Sequence, residues 1–260
     1  TIKEKAVGTG PYQVVSYNSA QEVMTLEATT TSWRGVPAIK TVEVRRIAEA
    51  SVRKAALQTG EIDLTSLNVE QVLELARDPQ FKTASGLLGS TITLEFFPAD
   101  TTGPLTDKRV RQAIQLGIDR QSIVDQLYHG EGQVDQCQLY DSRVFGFNPN
   151  LQAAPYDPAR ARQLLAEAGY PNGFSLKMQF VPASNVIGKD VAEAVAGQLA
   201  NLGIQVEMEG IDFTVHQQRR LNGGQADLAL NVGEFSSTMD ATPVLQFFHY
   251  TGKPPYHRFH

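Results

Sequence analysis

"GPLTDKRVRQAIQLGIDR", Gly103 to Arg120, is the stretch whose reading decides the fold. Pro104 stops whatever precedes it, Asp107 can cap a new helix, and Val110, Ala113, Ile114 and Gly117 recur at helical spacing as one apolar stripe. Arg109, Arg111 and Gln112 fall off that stripe. Asp119 offers a second cap, and Ile123, Val124 and Leu127 continue the apolar face until His129-Gly130 ends it. The spacing predicts two capped helices in direct succession, each burying one face.

Toward the C-terminus, helical and strand-like patterns alternate. Asp157-Pro158 reads as an N-cap with proline at the first helical position, Ala161, Leu164, Leu165 and Ala168 form the buried stripe, and Gly169 closes the helix. A strand follows with Phe174, Leu176, Met178 and Phe180 inward. Val191, Ala194, Val195, Gln198, Leu199 and Leu202 hold helical spacing before Gly203, and Ile204 to Met208 alternates again. This is a βαβ unit, expected to be parallel. Asp212 to Leu221 is a further helix candidate, Gly223-Gly224 a turn and Asp227 to Val232 a third strand.

Toward the N-terminus the pattern is strand-like from Tyr12 to Ile47, in short runs separated by Asn/Ser and Gly/Pro punctuation. Ser51 is expected to cap a helix through Leu57 with Gly60 just beyond it, and a short helix is expected over Val69 to Ala76. Thr91 to Phe97 alternates weakly before the polar loop Pro98 to Gly103.

Composition removes several function classes. The 260 residues are 42% hydrophobic and 20% charged, enough for one large or two medium domains with a sizeable core. A net charge of −5 without a Lys/Arg run argues against nucleic acid and against an anionic membrane surface as partner. No apolar run approaches the roughly 20 residues of a spanning helix, and "TIKEKAVGTG" has no signal-peptide core, so the chain is expected neither to span nor to export itself. The single Cys137 cannot form an internal disulfide and leaves the compartment open. No nucleophile elbow, phosphate loop, HExxH or dinucleotide fingerprint occurs, and Glu61 with Asp63 reads as a strand edge rather than an acid/base dyad. His249, His257 and His260 lack a Cys or carboxylate at ligand spacing and read as a terminal loop, so no metal site and no cofactor are expected.

Six motifs in fixed order carry a resemblance: "GTGPY" from Gly8, "SWRGVPAI" from Ser32, "LQTGEIDL" from Leu57, the opening stretch, "YDPARARQLLAEAGYPNGF" from Tyr156 and "QLANLGIQVE" from Gln198. From about Gly8 to Gly252 the chain resembles the family 5 extracellular solute-binding proteins, the peptide, nickel and opine receptors of ABC importers. The resemblance implies an α/β, periplasmic-binding-protein-like type II fold of two lobes joined by a hinge. Residues 1–97 would be an incomplete part of the first lobe, and residues 98–260 the second. Members of the family are longer, with a signal or lipoprotein segment and an extra domain before the "GTGPY" motif, so this reads as a partial chain.

The implied function is non-catalytic. A small molecule or short peptide would bind between the lobes by hinge closure and pass to the ABC permease and its ATPase, in the periplasm or outside the cell. Membrane association would come only through the permease or a lipid anchor outside this chain. The alternatives are a sensory or regulatory module gating a partner domain and a nickel or metal-chelate receptor, with a hydrolase a distant third.

Ligands of open α/β sheets bind beyond the carboxyl ends of the strands, which directs attention to "GEFSSTMDATPVLQFF" after the Asp227 to Val232 strand. Peptide-binding relatives carry Gly-Trp-x-x-Asp-x-x-Asp-Pro there, and the first Asp holds the ligand's free amino group, since a buried ammonium needs a carboxylate to offset its desolvation. Aligned on Gly233, this chain has Glu234 for the Trp, Ser237 for the amine-binding Asp, Asp240 at the second Asp and Ala241 for the Pro. Either Glu234 or Asp240 supplies the charge from a displaced position, or the ligand has no free α-amino group at this point. Ser236, Ser237 and Thr238 can equally serve as caps of a helix from Thr242 to Phe248. Glu234, Phe235, Ser237 and Asp240 are the second lobe's candidate ligand contacts. Tyr140 and Phe145 join them, from a loop that lines the cleft in relatives, with apolar core filling the equal alternative for this loop's aromatics. The family's hinge strand usually ends in Asn where Phe97 stands here, which removes a polar contact from that point.

Overall fold

A computed structural model describes residues 8–86, 90–97, 103–182, 188–222, 224, 226–233 and 240–242. It is mixed α/β and divides into two compact units, Thr1–Gln71 and Val72–His260. No helix among the described residues is long and apolar enough to cross a membrane.

In the first unit, β1 (Tyr12–Asn18), β2 (Val23–Ala28) and β3 (Thr41–Arg45) form an antiparallel sheet in that order. A bulge between Val14 and Ser16 brings Val14 and Tyr17 opposite Leu26 and Met24, so these four share one face with Val42 and Val44. Helix α1 (Ala50–Gln58) starts earlier than expected: Glu49 is its N-cap, without a side-chain bond, and Ser51 lies inside the first turn. The guanidinium of Arg53 instead ties the chain together here, donating to the carbonyls of Ile47, Ala48 and Ser66. Gly60 follows the helix at φ +73, the left-handed closure that glycine allows.

Helix α2 (Val69–Leu75) leads into the second unit, whose four-stranded sheet runs in the order β4 (Thr91–Phe96), β7 (Leu228–Gly233), β5 (Phe174–Phe180), β6 (Ile204–Gly210). Strands β5, β6 and β7 are parallel, and β4 is antiparallel to β7. Strand β4 is hydrogen-bonded along its whole length to β7, so it belongs to the second unit's sheet. Phe97, 1% exposed, closes that strand inside the core.

The opening stretch folds as its spacing predicts. After a 3-10 turn at Pro104–Thr106, helix α3 (Lys108–Gly117) is capped by Asp107, whose carboxylate accepts from Arg109 N at 2.8 Å. Helix α4 (Arg120–Leu127) is capped by Asp119, which accepts from Ser122 N. Gln198 on helix α6 (Gly188–Ala200) fixes the joint between them, accepting from Asp119 N and donating to Asp119 O and Ser122 Oγ. Helix α5 (Pro158–Glu167) starts at Asp157, which accepts from Arg160 N. The predicted stripes, Val110, Ala113 and Ile114 on α3, Ala161, Leu164 and Leu165 on α5, and Val191, Val195 and Leu199 on α6, are all buried against Leu176, Met178, Leu228 and Leu230 of the sheet. Burial of each large side chain stabilises by about 1.5–3 kcal/mol.

This apolar layer uses one face of the sheet. The other face carries Thr93 and Glu95 of β4, Asn231 of β7, Gln179 of β5 and Glu207 and Glu209 of β6. Over it lies helix α7 (Phe213–Asn222), held by polar contacts.

At the amino ends of β5 and β6 the backbones nearly touch. A Cβ on Gly173, at φ +77, would stand 2.0 Å from the carbonyl oxygen of Gly203. Gly169, at φ +91, has open space around it. Gly173→Ala is therefore expected to lower the unfolding free energy by about 3 kcal/mol, against about 1 kcal/mol for Gly169→Ala, where only the backbone conformation is strained; urea unfolding of the two variants checks the difference.

Candidate functional site

The parallel strands set the polarity of the second unit. The carboxyl ends of β5, β6 and β7 lie at Phe180, Gly210 and Gly233, and Thr91, the first residue of antiparallel β4, pairs with Gly233. Glu234, Phe235 and Ser237 lie outside the described residues, as do Ser236, Thr238 and the three C-terminal histidines. The segment returns at Asp240, and there the structure unites the remaining three candidates.

Phe145 bridges Asp240, with Ala241 N donating to Phe145 O at 2.9 Å. Tyr140 packs with Val144 and Ala241 in a small apolar cluster. The two aromatics differ in what they offer: Tyr140 is 7% exposed and fills the cluster, whereas Phe145 is 80% exposed and presents its ring to solvent. The Asp240 carboxylate accepts from Thr242 N at 2.7 Å, and its bonds to Thr242 hold it below the usual carboxylate range. It is thus anionic at neutral pH and begins a new turn at the same time.

Ala241, which stands where the resemblance leads to Pro, has a physical meaning here. A proline at position 241 has no N–H, so Ala241 makes the bond to Phe145 possible. Gly146, at φ +97, leaves room for Ala241, because a Cβ there would come 2.9 Å from the alanine methyl.

The loop that presents Phe145 is stapled at its base by side-chain amides. Gln138 Nε2 donates to Asn148 O at 2.9 Å while Gln138 Oε1 accepts from Asn148 N at 2.8 Å, so one buried glutamine imitates a rung of sheet pairing. Gln136 Oε1 accepts from Ala153 N, and Cys137, at φ +57, points its thiol to Gln152 O. Beneath the loop, burial pushes the Asp135 carboxyl up, against the pull of a hydrogen bond from Thr91.

A second polar assembly, on the face under α7, has no counterpart among the sequence expectations. Glu95 and Arg220 form an ion pair at 2.7 Å with side chains only 6% and 9% exposed, and Asn231 Nδ2 donates to the same Glu95 oxygen at 3.2 Å. Burial pushes the Glu95 carboxyl up, with Arg220 opposing it. His216 of α7 is 1% exposed beside Gln179. Burial, then the Arg220 charge, hold its imidazole below its ordinary value. The sequence signal for this layer is the set of polar residues alternating with apolar ones on β4, β5 and β7, together with His216 and Arg220 spaced i, i+4.

A cavity of about 260 Å³ between Arg162, Pro171, Asn172 and Asn201 lies at the opposite, amino end of β5 and β6.

Comparison with known proteins bears on the whole chain. Residues 1–255 match the family model described as bacterial extracellular solute-binding proteins, family 5 Middle. Heme-binding protein A of Haemophilus influenzae is 31% identical over 229 residues, covering 86% of this chain and 41% of that protein. The dipeptide-binding protein of Escherichia coli is 27% identical over 221 residues, 84% of this chain and 41% of that protein. The chain thus spans less than half the length of these relatives. Among solved structures, the ABC transporter substrate-binding protein CtaP of Listeria monocytogenes superposes with a TM-score of 0.86 at 21% identity, covering 100% of this chain and 53% of that one.

Ala241→Pro removes the donor to Phe145 and costs about 1 kcal/mol of local stability. Hydrogen exchange is expected to accelerate in residues 143–147 while the α3 and α5 amides keep their protection.

Proposed function

The chain belongs to the bacterial extracellular solute-binding proteins of family 5, and from that premise we propose that the whole protein is an extracytoplasmic receptor which delivers a peptide or peptide-like solute to an ABC permease. Members of this family bind solutes and are not enzymes. The observation that carries the reading is the family match across residues 1–255, and the ligands for which the relatives are named, heme and a dipeptide, set the range of solutes to try.

In this reading the second unit is the second lobe, residues 1–71 contribute to the first, and the crossing comes before β4 rather than after residue 97. The solute meets the carboxyl edge of the second unit's sheet. There Phe145 offers an exposed aromatic face and Asp240 a carboxylate; Glu234, Phe235 and Ser237, which precede Asp240 in sequence, are the further candidate contacts. Tyr140 supports this platform from beneath. Ser237 in the place of the amine-binding Asp favours a solute without a free α-amino group at that point, or one whose cation is met by Glu234 or Asp240. Lobe closure is stabilised only by contacts that the solute makes in the closed form. A lipid anchor outside this chain would hold the receptor at the membrane.

Native mass spectrometry of the full-length mature protein, gently purified, is expected to show a co-purifying adduct in the mass range of a peptide or a porphyrin. With that solute in hand, Phe145→Ala is expected to weaken binding by about tenfold, the effect of truncating one aromatic side chain that touches a ligand. Unchanged affinity would remove the platform from the binding site.

A further inference from the structure

The assembly under α7 contains a titratable group, His216, whose protonation its contact with Gln179 opposes and a hydrogen bond with Asn231 favours. Gln179 Oε1 faces two donors, Ala226 N and Arg219 Nη1, both at 3.4 Å. Its Nε2 is therefore the donor toward His216 Nδ1 at 3.3 Å. Neutral His216 then accepts at Nδ1 and carries its proton on Nε2. A second proton has to enter at Nδ1, where it meets an amide NH2 that cannot turn without giving up both bonds at Oε1.

The charges around the imidazole oppose the same step. From its own helix, Arg220 is buried four residues on, and Arg219 stands beside it in a bidentate pair with Glu209 of β6, both contacts 2.9 Å. From β4 comes Glu95, the only buried carboxylate among the described residues, and it is already engaged by Arg220 and by Asn231 of β7. Gln179 is the neutral group facing it from β5. Glu95 and Arg220 cancel, so an imidazolium leaves one uncompensated positive charge in a buried layer.

We propose that His216 is a proton-operated latch: uptake of a proton at Nδ1 breaks its bond to Gln179, places a second cation beside Arg220 and loosens α7 from the polar face of the sheet. The consequence reaches β7, because Asn231 connects this layer to the strand whose end, Gly233, opens the candidate ligand segment. The latch does not depend on which solute is bound.

The direction with pH follows from linkage. Burial, then Arg220, hold the folded imidazole below its ordinary value, against the pull of a hydrogen bond with Asn231. An unfolded or undocked histidine titrates near 6.5, so on acidification the loosened form takes up the proton first. Docking is strongest above about pH 6.5 and is lost progressively as the pH falls below it toward the folded value.

The test is an NMR titration of the His216 ring between pH 8 and 4.5, combined with hydrogen exchange of the α7 amides corrected for intrinsic rates, on the wild-type chain and on His216→Gln. The expected result is a His216 midpoint below about 6.5, a loss of α7 protection of about tenfold per pH unit over the same range, and pH-independent protection in His216→Gln. Three results would overturn the proposal: titration of His216 with α7 protection unchanged, no titration of His216 down to pH 4.5, or the same loosening in the glutamine variant. The wild-type titration decides the matter alone if His216→Gln does not fold.

Discussion

A buried carboxylate on the covered face of a sheet has to be neutralised where it stands, and the Glu95–Arg220 pair does so across β4 and α7. The architecture of the second unit turns on this pair. One face of the sheet is apolar and packs against α3, α5 and α6, as in any half of an α/β layer. The other face is polar, so α7 cannot dock there by apolar burial. It docks through Arg220 to Glu95, Arg219 to Glu209 and His216 to Gln179. Hydrophobic burial thus supplies most of the stability, while the ion pair sets where one helix sits.

The two faces also divide the labour of the sheet. The apolar face tolerates volume-conserving exchange, since its contacts are non-directional. Removing one member of the polar layer leaves a buried charge without its partner, which costs more than the pair itself contributes. The carboxyl edge sits between these regimes. Strand β7 is buried on both faces, yet its end carries the glycine from which the candidate ligand segment departs; the loop bearing Phe145 accepts from Ala241 N and is closed at its own base by Gln138.

Much of this is legible in the sequence where the governing interactions are local. Asp107, Asp119 and Asp157 each make the capping bond their positions imply, because a cap depends on residues two or three places away. Ser51 misleads for the same local reason: a small slippage at the helix start moves it from cap to first turn. What the sequence hides is non-local. β4 pairs with a strand about half the chain away, so its place in the second unit's sheet cannot be read from its own local pattern. The burial of His216 is equally hidden, since it comes from polar side chains on strands distant in sequence. Of the six candidate contacts, Tyr140, Phe145 and Asp240 come together at the edge, and Glu234, Phe235 and Ser237 lie outside the described residues.

The central claim is that solute meets the carboxyl edge of the second unit's sheet. A hydrogen-exchange footprint of the full-length protein, with and without the solute that co-purifies with it, tests this most directly. The account predicts new protection in residues 139–147 and 233–242. Protection confined to the amino ends of β5 and β6, around Arg162, Asn172 and Asn201, would contradict it.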